Sequence, residues 1–275
     1  MADLGWRVGC QADRTGQSPQ RLSHSEGAAA LNALPSGTAQ AGTASQIAVG
    51  IGRGQYKVTP PDYWIRMKYR SFLWDWSGTL VDDLPPTLYA TNAVLEKFGV
   101  APMGREEFRR RFRLPYPEFY EEVLPGVPIA DLEDTFRSAF SESPEGVTVL
   151  PHAREMLEWC QEREIRCFIL SSMDRGIFHK QLGEFGLAGH FESIYAGVID
   201  KRDRIGDILD THQLDRSTTA FVGDMAHDLH TAKHGGGDSV AVATGYDPVD
   251  RLTANDPTHL FDHLSDFREW LEGSV

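Results

Sequence analysis

Residues Phe72-Leu73-Trp74-Asp75-Trp76-Ser77-Gly78-Thr79-Leu80-Val81-Asp82 constrain the fold more than any other stretch of the chain. An uninterrupted apolar run breaks at a carboxylate, a Gly-Thr turn follows, and apolar residues resume. A run without polar alternation is what a strand covered on both faces looks like. From Met67 onward such runs alternate with helical patterns. Tyr69–Trp74, Ile165–Leu170, Ser193–Val198, Thr218–Val222 and Ser239–Ala243 read as strands, and residues 257–261 as a last one. Helical spacing covers Pro85–Phe98, the patterns at 104–112, 116–124 and 128–142, the stretch from Pro151 to Glu164, residues 174–185, Arg204–His212, Ala226–His234 and Leu264–Leu271. This order predicts an α/β fold, a parallel sheet with helices on both faces. Four successive helices between about 84 and 149 interrupt the alternation and predict a small all-helical cap.

The expected organisation is therefore a core of residues 67–83 and 150–275 with a cap of 84–149. Residues 1–66 are rich in Gly, Ala, Ser, Gln and Thr and lack period 2 or 3.6. Such a segment buries too little to offset its ordering entropy. We expect a disordered or mis-assigned extension there, with the fold beginning at Met67.

Composition narrows the partners. A net charge of −13, with 41% hydrophobic residues, argues against non-specific binding to nucleic acid or to an anionic membrane. No apolar run approaches the roughly 20 residues that span a bilayer. The three cysteines, Cys10, Cys160 and Cys167, form no C-x-x-C pair and no disulfide framework. A reducing cytoplasm is the expected location, and a monomer or homodimer the expected state.

In an open parallel sheet, ligands sit beyond the carboxyl ends of the strands. Four such ends carry reaction-competent groups in this chain: Asp75, Ser171 with Ser172 beside it, Lys201 shortly after a strand, and Gly223-Asp224. Asp224 and Asp228 lie four apart at a strand-to-helix turn, so both can face one ion. In the cap, Arg105, Arg109 and Arg113 share a helical face, and Arg113 is a candidate for an anionic group of a ligand.

The Asp75 run resembles the first motif of the haloacid dehalogenase superfamily, and Gly223-Asp224-Met225-Ala226-His227-Asp228 resembles its metal-binding motif. The order nucleophile, Ser, Lys, Gly-Asp is similar throughout. The resemblance covers essentially all of 67–275 and implies a Rossmann-like core with a cap. It implies a phosphatase most like the phosphoglycolate phosphatase branch, acting on a small phosphorylated metabolite. Asp75 would be the covalent nucleophile. Mg²⁺ would be held by Asp75, the Ser77 carbonyl, Asp224 and Asp228. Ser171, Ser172 and Thr79 would bind the phosphoryl group, and Lys201 would neutralise it. Lys201 is followed by Arg202 where family members commonly carry Pro.

The chain departs from the family at Ser77, where phosphatases carry a second Asp that protonates the leaving oxygen. Serine does not titrate near neutral pH. General acid–base catalysis contributes about 10²–10⁴-fold, so substrates with good leaving groups should still react. His227, Asp82 and Asp83 are the nearest groups that could substitute. Relatives without that Asp include dehalogenases and phosphonoacetaldehyde hydrolases, the latter using a cap lysine. Lys97 is the one lysine between 84 and 149. A non-catalytic anion-binding module is the remaining alternative.

Overall fold

The structure, a computed structural model, describes residues 67–274. The expectation for residues 1–66 lies outside them. Six strands form one parallel sheet: β1 (Ser71–Trp74), β4 (Arg166–Leu170), β5 (Ser193–Tyr195), β6 (Thr219–Gly223), β7 (Asp238–Val242) and β8 (His259–Phe261), in the order β5-β4-β1-β6-β7-β8. β1 lies at the centre, with Trp74 opposite both Ile169 of β4 and Val222 of β6. Consequently the residue after β1, Asp75, emerges between the ends of β4 and β6. Between β1 and β4 a two-stranded antiparallel pair, β2 (Val81–Asp82) with β3 (Thr148–Val149), brackets four helices.

Both faces of the sheet are covered, which is why Phe72, Leu73 and Trp74 run apolar in succession and Ser71 at the start of β1 is buried with its hydroxyl on Thr219 Oγ1. Phe72 and Trp74 face a core completed by α5 (Ala153–Glu162), α6 (Arg175–Phe185) and α10 (Leu264–Gly273). Leu73, between them, faces the opposite core with Ile205 and Leu209 of α7 (Arg202–Thr211) and Ala232 of α8 (Ala226–Gly235). α6 begins where Asp174 accepts from Gly176 N and Ile177 N, and ends at Gly186 with φ +63°, a left-handed closure suited to glycine.

The four intervening helices are α1 (Leu84–Lys97), α2 (Arg105–Arg111), α3 (Tyr116–Val123) and α4 (Ile129–Glu142). Pro85 and Pro86 occupy the first turn of α1, where a missing N–H costs nothing. Leu84, Val94, Leu95, Phe108, Phe119 and Leu132 form the helices' shared core, which Met225 and Tyr246 of the sheet domain join.

Three features differ from the sequence expectation. The third strand stops at Tyr195 rather than Val198, because Gly197 N and Val198 N turn to Met173 O and Ser171 O at the strand ends. The β2–β3 pair is too short for its period to register. The helix α9 (Val249–Ala254) was not expected.

Trp76 pins the turn after Asp75. It is fully buried, meets the Phe178 ring edge-on at 4.8 Å between centroids, and donates from its indole N–H to Gln181 Oε1 at 2.7 Å. Trp76→Ala is expected to cost about 3–5 kcal/mol through the cavity it leaves, read as the shift of the urea unfolding midpoint. A loss below about 1 kcal/mol would contradict this anchoring.

Candidate active site

The turn after β1 is built to deliver Asp75. Asp75 N continues the ladder to Val222 O at 2.9 Å, and Trp76 O then accepts from Thr79 N, Leu80 N and Val81 N. Gly78 sits at φ +74°, a conformation that L side chains rarely adopt. A Cβ on Gly78, or on Gly245 after β7, would run into the Asp224 carboxylate. The two glycines let three chain segments close on that group.

Asp75 is 3% exposed, and Asp224 and Asp228 are fully buried. Each offers an oxygen lying within 4.8 Å of the others. Lys201, also fully buried, places Nζ 2.7 Å from Asp75 Oδ1 and 2.7 Å from Asp228 Oδ1. Asp224 is held by Thr79 Oγ1, which donates to Oδ1 at 2.9 Å, and by Tyr246 N, which donates to Oδ2 at 2.7 Å. Asp228, in the first turn of α8, accepts from Met225 N at 3.1 Å.

Three carboxylates thus face one ammonium. Burial pushes the Asp75 carboxyl up to about 7, against the pull of Lys201, with Asp228 adding to the rise. Burial raises Asp224 as well, followed by the repulsion of Asp75 and Asp228. Burial alone would lower Lys201, but Asp228 and Asp75 more than offset it and hold the ammonium charged. A cluster of three buried carboxylates is an all-oxygen donor set that fits a hard divalent cation, whose charge would offset the repulsion among them.

The other expected residues divide. Ser77 and Ser172 line the cleft in front of Asp75. Ser171 closes β4, is 1% exposed, and accepts at Oγ from Met173 N at 3.2 Å. Thr79, expected on the phosphoryl group, instead spends its hydroxyl on Asp224 and is fully buried. Arg113 is not brought to the cleft. Glu122, 2.5 Å away, and Glu118 engage its guanidinium on the cap's outer side. Arg109 fastens α2 to the sheet domain, donating to Tyr246 O and Asp247 O at 3.2 and 3.0 Å.

Of the groups that could replace a titratable residue at 77, Asp83 lines the cleft. Burial pushes its carboxyl up to about 6, against the Ser77 and Tyr246 hydroxyls. Asp82 sits in β2 and accepts from Leu84 N. His227 Nε2 accepts from Lys201 N at 3.2 Å, and burial, then Lys201, pushes the imidazole down to about 4. His227 therefore orients the Lys201 segment rather than carrying a proton. Lys97 donates to Thr135 Oγ1 on an exposed face of the cap, which leaves the Schiff-base alternative without a cap lysine at the cleft among the described residues.

Sequence reading did not single out the loop after β7. Tyr246 donates its hydroxyl to Asp83 Oδ1 at 2.9 Å while its backbone N–H holds Asp224. Thr244 Oγ1 donates to Gly78 O at 2.6 Å, and Asp247 Oδ2 accepts from Ala226 N at 2.7 Å, at the start of α8. The polar run Thr244-Gly245-Tyr246-Asp247 directly after an apolar strand was the available signal.

Known proteins agree with this geometry. The family description haloacid dehalogenase-like hydrolase matches residues 72–242. A phosphoglycolate phosphatase from Pseudomonas fluorescens is 25% identical over 209 residues, covering 71% of this chain and 77% of its own. A 5'-nucleotidase from Pseudomonas aeruginosa is 23% identical over 218 residues, covering 75% and 97%. The fold matches that of a haloacid dehalogenase-like hydrolase from Streptococcus pneumoniae, with a TM-score of 0.66 at 20% identity over 74% of this chain and 98% of the other. With the match running from β1 through β7 and so taking in Asp75, Lys201, Asp224 and Asp228, the chain belongs to the haloacid dehalogenase-like hydrolases.

Proposed function

We propose that this hydrolase is a Mg²⁺-dependent phosphatase that cleaves a phosphate monoester through an aspartyl phosphate on Asp75. The observation that carries the reading is the convergence of Asp75, Asp224 and Asp228 around Lys201 at the floor of a cleft. The names of the relatives, phosphoglycolate phosphatase and 5'-nucleotidase, support the same class.

Mg²⁺ would be held by Asp75, Asp224 and Asp228 with the Ser77 carbonyl, and when bound would offset the charge of nucleophile and phosphoryl oxygens. Asp75 then attacks phosphorus. Its oxygen bonds to phosphorus as the ester P–O bond breaks, and the electron pair leaves on the ester oxygen. Lys201 neutralises a phosphoryl oxygen where charge builds up. Ser172, on the cleft wall, and the buried Ser171 next to it would orient that group, a role the lining of the cleft by Ser172 supports. Water next attacks the acyl phosphate, the Asp75 carboxylate departs from phosphorus, and inorganic phosphate is released with the water's proton passing to solvent. The cap closes the cleft over the reaction and limits water access.

Among the described residues no helix is long and apolar enough to cross a membrane. Cys160 and Cys167 are buried free thiols, which supports a reducing cytoplasm. The metal requirement tests the reading. Chelation is expected to abolish turnover of 4-nitrophenyl phosphate, and added Mg²⁺ to restore it. Undiminished turnover in excess chelator would exclude the metal-assisted mechanism.

A further inference from the structure

The cleft in front of Asp75 encloses about 370 Å³, within the ordinary size range of small-molecule sites. A two-carbon alcohol would leave most of that space to water. Six aromatic side chains line the wall. Phe112, Tyr116, Tyr120, Phe136 and Phe140 come from the cap and Tyr246 from the sheet domain. Phe112 and Tyr246 lie 5.5 Å apart between centroids, and Phe136 and Phe140 5.8 Å apart. Such walls hold a planar apolar group by area and by offset or edge-on ring contact.

Charge on the wall argues in the same direction. Among the described residues, the basic groups lining the cleft are Arg137 and Arg175. Arg137 faces Glu133 and Asp174, each at 3.8 Å, and also pairs with Asp134. Arg175 donates from Nε to Ala196 O at 3.0 Å. Glu133 further accepts from the Tyr116 hydroxyl. Asp83, Glu133 and Asp174 all line the space. An alcohol bearing its own carboxylate would meet three acidic groups and an Arg137 already paired with carboxylates.

Ser77 supplies an independent constraint. It cannot hand a proton to a departing oxygen near neutral pH. An alkoxide leaves with a conjugate-acid pKa near that of water, roughly 16, whereas a phenolate leaves with one of about 10. The missing proton matters for the first and little for the second.

We infer that the substrate is an aryl phosphate monoester, its ring held against the aromatic cap wall and expelled as a phenolate without protonation. The inference rests on the phosphatase reading above. Asp75 forms the new P–O bond, the aryl–O–P bond breaks with both electrons on the phenolic oxygen, and the phenolate takes its proton from bulk water after release.

Initial rates of the full chain with Mg²⁺ on ring-substituted phenyl phosphates, naphthyl phosphate, glycerol phosphate and 2-phosphoglycolate test it. The aryl esters are expected to exceed both alkyl esters by at least about 100-fold in kcat/KM, with rates rising as the phenol becomes more acidic. Phe136→Ala should lower kcat/KM about 10-fold more on naphthyl phosphate than on glycerol phosphate. Phe136→Leu, which keeps apolar volume in case the alanine variant does not fold, should give a smaller loss in the same direction. Ser77→Asp should raise the alkyl rates and flatten the dependence on phenol acidity.

Turnover of alkyl esters as fast as aryl esters overturns the inference alone. If those alkyl rates vanish in Asp83→Asn, the proton-carrying part passes to Asp83. An aryl preference unchanged in both Phe136 variants overturns the assignment of the ring to the cap wall. No turnover of any ester, with no acyl phosphate trapped by hydroxylamine, defeats the phosphatase reading itself and this inference with it.

Discussion

Asp75→Asn is expected to lower turnover of aryl phosphates by at least about 10⁴-fold, the scale on which removal of a covalent nucleophile acts. The amide keeps the size of the carboxylate but not its nucleophilicity, so the bond to phosphorus cannot form. Hydroxylamine trapping should detect acyl phosphate in the wild type and none in the variant. The chemical loss is separable from a folding defect. In the metal-free protein three buried carboxylates face the single Lys201 ammonium, and removing one charge relieves repulsion among like groups. The unfolding midpoint of Asp75→Asn in chelator should therefore equal or exceed that of the wild type. Turnover within about tenfold of wild type would show that another group attacks phosphorus, and the site would have to be reassigned.

The parallel sheet was legible because burial on both faces makes the inner stretches of its strands apolar in succession. Phe72 and Trp74 feed one core and Leu73 the other, so polar alternation has no place in β1. The position of Asp75 was legible for the same reason, since a carboxylate ending such a strand lies at the sheet's carboxyl edge. Lys201, Asp224 and Asp228 followed from the same edge. What sequence periodicity could not reveal is contact between distant segments. Tyr246 meets Asp83 across 163 positions and Thr79 meets Asp224 across 145, and neither pairing leaves a local pattern. The arginines of α2 show the same limit from the other side. Helical spacing put Arg105, Arg109 and Arg113 on one face, but α2 ends at Arg111; Arg113 lies beyond it and meets the carboxylates of α3, while Arg109 meets the carbonyls of Tyr246 and Asp247. A basic cluster in an acidic protein read as an anion site, while the fold uses Arg109 to fasten the cap and pairs Arg111 and Arg113 with glutamates inside it.

Lys201 offers the sharpest test of the charge arrangement. Lys201→Met is expected to cost about 3–5 kcal/mol of stability in chelator, because breaking a buried ion cluster strands its partners. Methionine approximates the length of the lysine stem and keeps an apolar side chain near Phe221, whose ring lies 5.6 Å from Nζ, so the loss is electrostatic rather than a packing defect. Turnover should fall about 10²–10³-fold, the effect of deleting one preorganised group that stabilises developing charge. Lys201→Arg should rescue little, since a planar fork does not replace a compact ammonium that sits fully buried between two carboxylates. A divalent cation then becomes the main positive charge left to Asp75, Asp224 and Asp228, and a ligand that binds the folded state stabilises it. Mg²⁺ should therefore raise the urea midpoint more in Lys201→Met than in the wild type. If the variant unfolds in chelator at the wild-type midpoint, the three carboxylates are not confronting one another and the metal centre drawn from their geometry does not exist.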